Sequence, residues 1–108
     1  MVSEVVDTSL AEVVRRLVET LHPLRIYLFG SRARGEETYD SDYDVLVLVE
    51  QKTGKSYQME RQAYGSLRGL AAPIDIVVMS RDHFERRRMV VSSLSATIER
   101  EGRLLYAA

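Results

Sequence analysis

The apolar positions of the chain follow two periods. Leu10, Val13, Val14, Leu17, Val18 and Leu21 recur every three to four residues, the spacing of one helical face. Ser9 and Glu12 have the form of a capping box at its start. His22-Pro23 predicts its end, because the residue before proline is pushed out of helical geometry. The run RIYLF (25–29) then predicts a strand that stops at Gly30. Ser31 as N-cap predicts one helical turn to Gly35, followed by a polar turn over 36–41. Residues 43–50 (YDVLVLVE) carry the strongest strand pattern. Its centre is apolar without alternation, which predicts burial on both faces.

Beyond a polar loop with Gly54, residues 56–72 place Met59, Ala63, Leu67, Leu70 and Ala71 on one helical side, despite Gly65 and Gly69. Pro73 ends that helix, and IDIVVM (74–79) predicts a third strand. Ser80 is placed to cap a helix from Arg81, and RMVVSS (88–93) leaves open whether that helix breaks or continues. A last helix runs to about Glu101, with Gly102 at its C-terminal cap and an extended tail over 104–106. This order predicts an α/β (α+β) fold, a small mixed β-sheet with packed helices. At 108 residues the expectation is a single domain spanning 1–108.

Composition narrows the chemistry. The net charge of -1 provides no global field to attract nucleic acid, so no direct nucleic-acid binding is expected. Without cysteine there are no disulfides and no thiolate zinc sites. The two histidines, His22 and His83, are far apart in sequence, which argues against a histidine-rich metal site. A bound metal would have to be held by carboxylates, and oxygen ligands favour magnesium, manganese or calcium. The N-terminal residues lack a basic-then-apolar signal pattern, and no apolar run approaches bilayer length. A cytoplasmic location without membrane contact is the expectation.

Three features carry candidate chemistry. Gly30-Ser31 closes a strand and opens a helical turn, where glycine lets the backbone approach a ligand and a helix start suits a phosphate. By itself, Gly-Ser at a strand end can equally be a plain turn. Asp42-Tyr43-Asp44 opens a very apolar strand, so both carboxylates point to one face. They repel unless a cation sits between them, and such a pair can ligate two magnesium ions roughly 3.5–4 Å apart. An isolated Asp-x-Asp can also be two solvated acids before a strand. Asp75, between Ile74 and Ile76, stands in the third strand, where aspartate is disfavoured. It either completes the acid cluster or faces water on an edge strand. A P-loop is excluded: Gly30 and Gly35 have its spacing, but Glu36-Glu37 stands where Lys-Ser/Thr is required.

Together these residues resemble the nucleotidyltransferase superfamily of DNA polymerase beta, whose signature is Gly-Ser, about ten residues, Asp-x-Asp and a later third acid. Here Gly30-Ser31 is followed by ten residues, then Asp42 and Asp44, then Asp75. The stretch LFGSRARGEETYDSDYDVLVLV and the ending IEREGRLLY look like the minimal nucleotidyltransferase (MNT) subfamily, and the likeness covers nearly the whole chain. The resemblance implies a polymerase-beta-like nucleotidyltransferase core. It implies that Asp42, Asp44 and Asp75 are catalytic and bind two Mg2+ ions, and that Gly30 and Ser31 bind the triphosphate of ATP. Arg32 and Arg34 are candidate phosphate contacts or solvated helix charges. Arg86, Arg87 and Arg88 form either a surface for an acidic partner or a solvated helix face.

The resemblance further implies an antitoxin that transfers AMP from ATP to a hydroxyl, a tyrosine by expectation, of a partner HEPN-type ribonuclease toxin. The acceptor site would be shallow or supplied by that partner, in a hetero-complex or alongside homo-oligomerisation. Two alternatives stand beside it: an antitoxin that neutralises its toxin by binding alone, and a transferase acting on a small hydroxylated molecule.

Overall fold

The computed structural model describes residues 8–36, 42–55, 57–71 and 73–108. The first apolar stripe forms helix α1 (Thr8–Leu21), with Leu10, Val13, Leu17 and Leu21 buried and Val14 and Val18 packed beside them. His22 ends it at a positive φ of 48°, and Pro23 cannot continue the helix. The expected capping box does not form. Ser9 lies inside α1, and Glu12 instead takes Arg15 and Arg16 through its carboxylate.

Strand β1 (Arg25–Phe29) leads through Gly30 into a four-residue helix, α2 (Ser31–Arg34). Strand β2 (Tyr43–Val49) follows, then helix α3 (Gln58–Ser66), strand β3 (Ile74–Ser80), helices α4 (Arg81–Arg87) and α5 (Leu94–Glu101), and strand β4 (Arg103–Ala107). The sheet order is β3-β2-β1-β4. β1 runs antiparallel to β2 and β4, whereas β2 and β3 are parallel, as a helical crossover between them requires. This is the expected mixed sheet. The unbroken apolar centre of β2 is explained by its place inside the sheet, with Val45 to Val49 all buried. Val45, Val47 and Val49 face α1 and α3; Leu46 and Leu48 meet Phe84 of α4 and Ile98 of α5. Among the described residues no helix is long and apolar enough to cross a membrane.

Several local expectations are corrected. α2 is capped by Gly30, and Ser31 is its first residue rather than its N-cap. The turn expected over 36–41 lies, apart from Glu36, outside the described residues. The helix expected over 56–72 is regular only over Gln58–Ser66. It then loosens into turns that reach Gly69 at φ 91°, which leaves Ala71 exposed; Ser56 and Ala72 lie outside the described residues. Ser80 caps α4 by accepting from the His83 amide, and Ser93 caps α5 by accepting from the Ala96 amide. Gly102 sits at the α5 end in an extended conformation, not a left-handed one; a side chain there would press on the Ile98 carbonyl oxygen. The tail is a true strand, because β4 finds the free edge of β1.

The opposite edge, β3, is covered by α3. The amide of Ile76 donates to the Tyr64 hydroxyl at 2.8 Å, and that of Val78 to the Glu60 carboxylate at 3.0 Å. These outward N–H groups would otherwise offer an edge to another strand.

Candidate active site

Strand pairing sets Asp44 and Asp75 side by side at one end of the sheet, and Asp42 stands just before β2. Asp44 stands opposite Phe29 on one side and opposite Asp75 on the other. Strands in register lie ~4.8 Å apart and their paired side chains share a face. Asp44 and Asp75 are therefore neighbours on the α4–α5 face, since Leu46, Leu48, Val77 and Met79 continue the same alternation into that layer. Asp42 precedes Asp44 by two residues, just outside β2, and its charge bears on the Asp44 carboxyl. The Asp44 carboxylate also lies directly against the Cα of Gly30, in the space a Cβ would need. The turn after β1 and the acids that open β2 and β3 thus form one locality.

Exposure differs among the acids. Asp42 and Asp75 are exposed and Asp44 is half-buried. Asp75 stands beside Asp44 and also faces water, as one of its two readings expects: β3 is an edge strand, and Ile74 and Ile76 point to the other face. Burial raises the Asp44 carboxyl above its ordinary range. The charges of Asp75 and then Asp42 raise it further, and Arg34 partly opposes them. Among the described residues no three histidine, cysteine, aspartate or glutamate side chains form a metal-holding group. The acids stand side by side rather than gathered on one point. Their chemistry nevertheless fits magnesium: the donors are hard carboxylate oxygens, and a divalent cation would offset the like charges that bear on Asp44.

α2 straddles the end of the sheet. Its residues step about 100° around the helix axis, so Arg32 and Arg34 leave on nearly opposite sides. Arg32 lays its guanidinium 4.1 Å from the ring centroid of Tyr43. Tyr43 and Ala33 pack in the α1–α3 layer, away from the acids. Arg34 turns the other way, bonding Glu36 at 2.8 Å and Glu101 of α5 at 3.3 Å, with its charge felt at Asp44. The two arginines, equivalent in the sequence reading, are therefore different groups. Glu101 is the residue that reading missed. Strand alternation alone assigns Tyr43 to the face opposite Asp44; the contact between Glu101 and Arg34 has no signal in the sequence.

The other sequence candidates lie elsewhere. Arg86 pairs with Asp82, and Arg88 with Glu85 and Glu99, all exposed pairs on the α4–α5 surface. A wide cleft of about 800 Å³ opens at the far end of β2 and β3, lined by Glu50, Lys52, Ser80, Asp82 and His83 among others, and includes none of the three acids.

Among solved structures, the chain is similar to a candidate nucleotidyltransferase from Sulfolobus solfataricus, with a TM-score of 0.65 and 22% identity over 93% of this chain and 78% of that one. It is also similar to a chain of a toxin–antitoxin complex determined with AMP-PNP, with a TM-score of 0.58 and 22% identity over 90% of this chain and 73% of that one. At such identities the likeness is one of fold. No curated protein sequence matches significantly. The model of the nucleotidyltransferase domain matches residues 8–106, and on that match the chain belongs to the nucleotidyltransferase domain family.

Proposed function

We propose that the chain is a magnesium-dependent nucleotidyltransferase that moves AMP from ATP onto a hydroxyl of a partner toxin, and so acts as its antitoxin. The observation that carries this reading is the in-register pairing of Asp44 with Asp75 beside Gly30, with the charge of Asp42 bearing on Asp44. The structural neighbour taken from a toxin–antitoxin complex with AMP-PNP, an ATP analogue, supports the adenine nucleotide and the partner. A HEPN ribonuclease as the toxin and a tyrosine as the acceptor follow from the MNT resemblance.

In this reading Asp42 and Asp44 would hold both magnesium ions, and Asp75 would join them on one. Bound magnesium would screen the triphosphate and make the acceptor hydroxyl more acidic. The chain's own groups do the rest. Ala33 and Arg34 already donate their amides to the Gly30 carbonyl, so a phosphate would be met by the amides before them and by the Ser31 hydroxyl. Asp75, exposed on its edge strand, is open to an acceptor brought from outside and orients its hydroxyl. The hydroxyl oxygen bonds to the α-phosphorus in line, the bond from that phosphorus to the bridging oxygen breaks, and pyrophosphate leaves. The hydroxyl proton passes by way of Asp75 to solvent.

The test is incubation of ATP labelled at the α-phosphate with the purified chain and its partner toxin, with and without magnesium. Magnesium-dependent label on the toxin, removed by tyrosine substitution there, is expected. Label that appears only on small hydroxylated acceptors would redirect the reading, and no transfer to either would overturn it.

A further inference from the structure

We propose that Arg32 and Tyr43 act as a strut that sets the spacing between the Gly30–Ser31 turn and the paired acids, so that both are positioning residues rather than ligand contacts. The proposal deepens the nucleotidyltransferase reading and rests on it for its ligand. Its structural basis is independent of that reading.

Tyr43 is the middle residue of Asp42-Tyr43-Asp44, and β-strand alternation sends it to the opposite side of the sheet from Asp44. Its ring is there met by the Arg32 guanidinium at 4.1 Å, well inside the range of a cation–π contact. Arg32 belongs to the same short helix as Ser31, and Tyr43 to the same strand as Asp44. The contact therefore ties the turn to the acid strand from behind, while Gly30 touches Asp44 from the front. α2 has only four residues, too few to hold its own geometry. Beyond its link to Glu101 through Arg34, this stack and the packing of Ala33 fasten it to the core. On the face away from the acids, Arg32 would serve a nucleotide through the turn it anchors.

This separates Arg32 from Arg34. A phosphate-contacting arginine loses its effect only when its own charge goes. A strut fails equally from either end, and it survives a change that keeps the aromatic face. Three variants make the distinction: Tyr43→Leu, which keeps apolar volume without a π face; Tyr43→Phe, which keeps the face; and Arg32→Gln.

Two measurements are needed. The first is amide hydrogen exchange at Ala33, Arg34 and Glu36, whose N–H groups bond to Gly30 and Ser31 carbonyls, in the protein without ligand. Tyr43→Leu and Arg32→Gln should each speed exchange at these three amides, with exchange in α1 unchanged and Tyr43→Phe like the original. The second is the Kd of Mg-ATP by calorimetry. Each loosening variant should weaken it roughly threefold to tenfold, and the double variant no further than either single one. Unchanged exchange in both Tyr43→Leu and Arg32→Gln overturns the strut. Losses of affinity that add in the double variant overturn it too, because Arg32 would then touch the nucleotide itself. If the original protein binds no Mg-ATP, the nucleotidyltransferase reading fails, and the exchange rates still decide whether the strut exists.

Discussion

The carboxylate of Asp44 fills the space that a side chain on Gly30 would need: its Cγ would stand 3.1 Å from a Cβ there, and its Oδ2 closer still. Gly30 holds φ 78° and ψ −159°, a region that residues with a side chain rarely enter. Two constraints therefore meet at one position. The turn must be glycine to adopt its backbone angles, and it must be glycine for the acid to sit beside it.

Gly30→Ala should accordingly do two things. Backbone strain should lower stability by about 1–3 kcal/mol. Asp44 should also rotate away from the turn, so that Mg-ATP no longer raises the melting temperature. Melting curves with and without millimolar Mg-ATP check both. A variant that melts lower but keeps the full ligand shift would mean that the Gly30–Asp44 contact has no part in binding.

The like charges around Asp44 predict a pH dependence with a definite sign. Burial, then Asp75 and Asp42, hold its carboxyl above the ordinary 3.8, so the folded chain keeps a proton that the unfolded chain releases. The stability due to that proton is complete below pH 3.8 and is lost as the pH rises through the folded value. Without divalent metal, Asp44→Asn should remove this loss and melt above the original protein at neutral pH. Glu12 has the opposite sign. Hydrogen bonds from Arg15 and then Arg16 lower it from 4.5 to about 2, so its contribution is complete above pH 4.5 and fades as the pH falls through about 2. Melting temperatures followed from acid to neutral pH in the two proteins should diverge only on the side where Asp44 ionises.

Arg16 links α1 to the end of α3. Its guanidinium holds Glu12 at 2.8 Å and donates to the carbonyls of Ser66 at 3.3 Å and Arg68 at 2.9 Å. Those carbonyls lie where α3 loosens, and a helix end needs such donors. Arg16→Ala should destabilise by about 1–2 kcal/mol, the lower part of the range for bonds to a charged group, because the site is partly solvated. Denaturant unfolding measures the loss. The Mg-ATP shift should stay intact, since α1 and α3 pack on the face of the sheet opposite Asp44 and Asp75. A lost shift with unchanged stability would contradict this division.

Some of the fold is legible in the residues, for reasons that the structure makes concrete. β2 reads clearly because a strand flanked by neighbours on both sides and layers on both faces must be apolar at every central position, as Val45 to Val49 are. Alternation alone predicts Asp42 and Asp44 on one side; in the structure Asp42 stands just before β2, with its charge bearing on Asp44. The adjacency of Asp75 does not follow from alternation: it depends on β3 lying parallel beside β2 in a register that no local pattern encodes. Its exposure is one of the two readings left open for it, and the isoleucines on either side serve the other face. Ser9 and Ser31 have good capping chemistry, yet Ser9 is the second residue of α1 and Ser31 the first of α2, because neighbouring residues can begin the turn as well. β4 reads as a tail because five residues pairing with a distant strand look locally like any extended segment.

The decisive prediction concerns whether catalysis is needed at all. Asp44 is the acid shared between Asp75 beside it and Asp42 two residues before it. Asp44→Asn keeps its shape, and so its fit against Gly30, while removing the charge that both metals would require. It should abolish AMP transfer to the toxin and leave the fold and the protein–protein complex in place. Ser31→Ala should do less. The Ser31 hydroxyl caps no helix here, so its removal leaves α2 standing and deletes at most one bond to a charged phosphate, ~1.5–3 kcal/mol in transfer rate. Both variants are to be followed in parallel by AMP incorporation into the toxin and by protection of growing cells at native expression levels. Protection that falls with transfer, fully for Asp44→Asn and partly for Ser31→Ala, supports an enzymatic antitoxin. Full protection by Asp44→Asn with no transfer would mean that the chain neutralises its toxin by binding, because the substitution keeps the shape of the surface and removes the charge on which transfer depends.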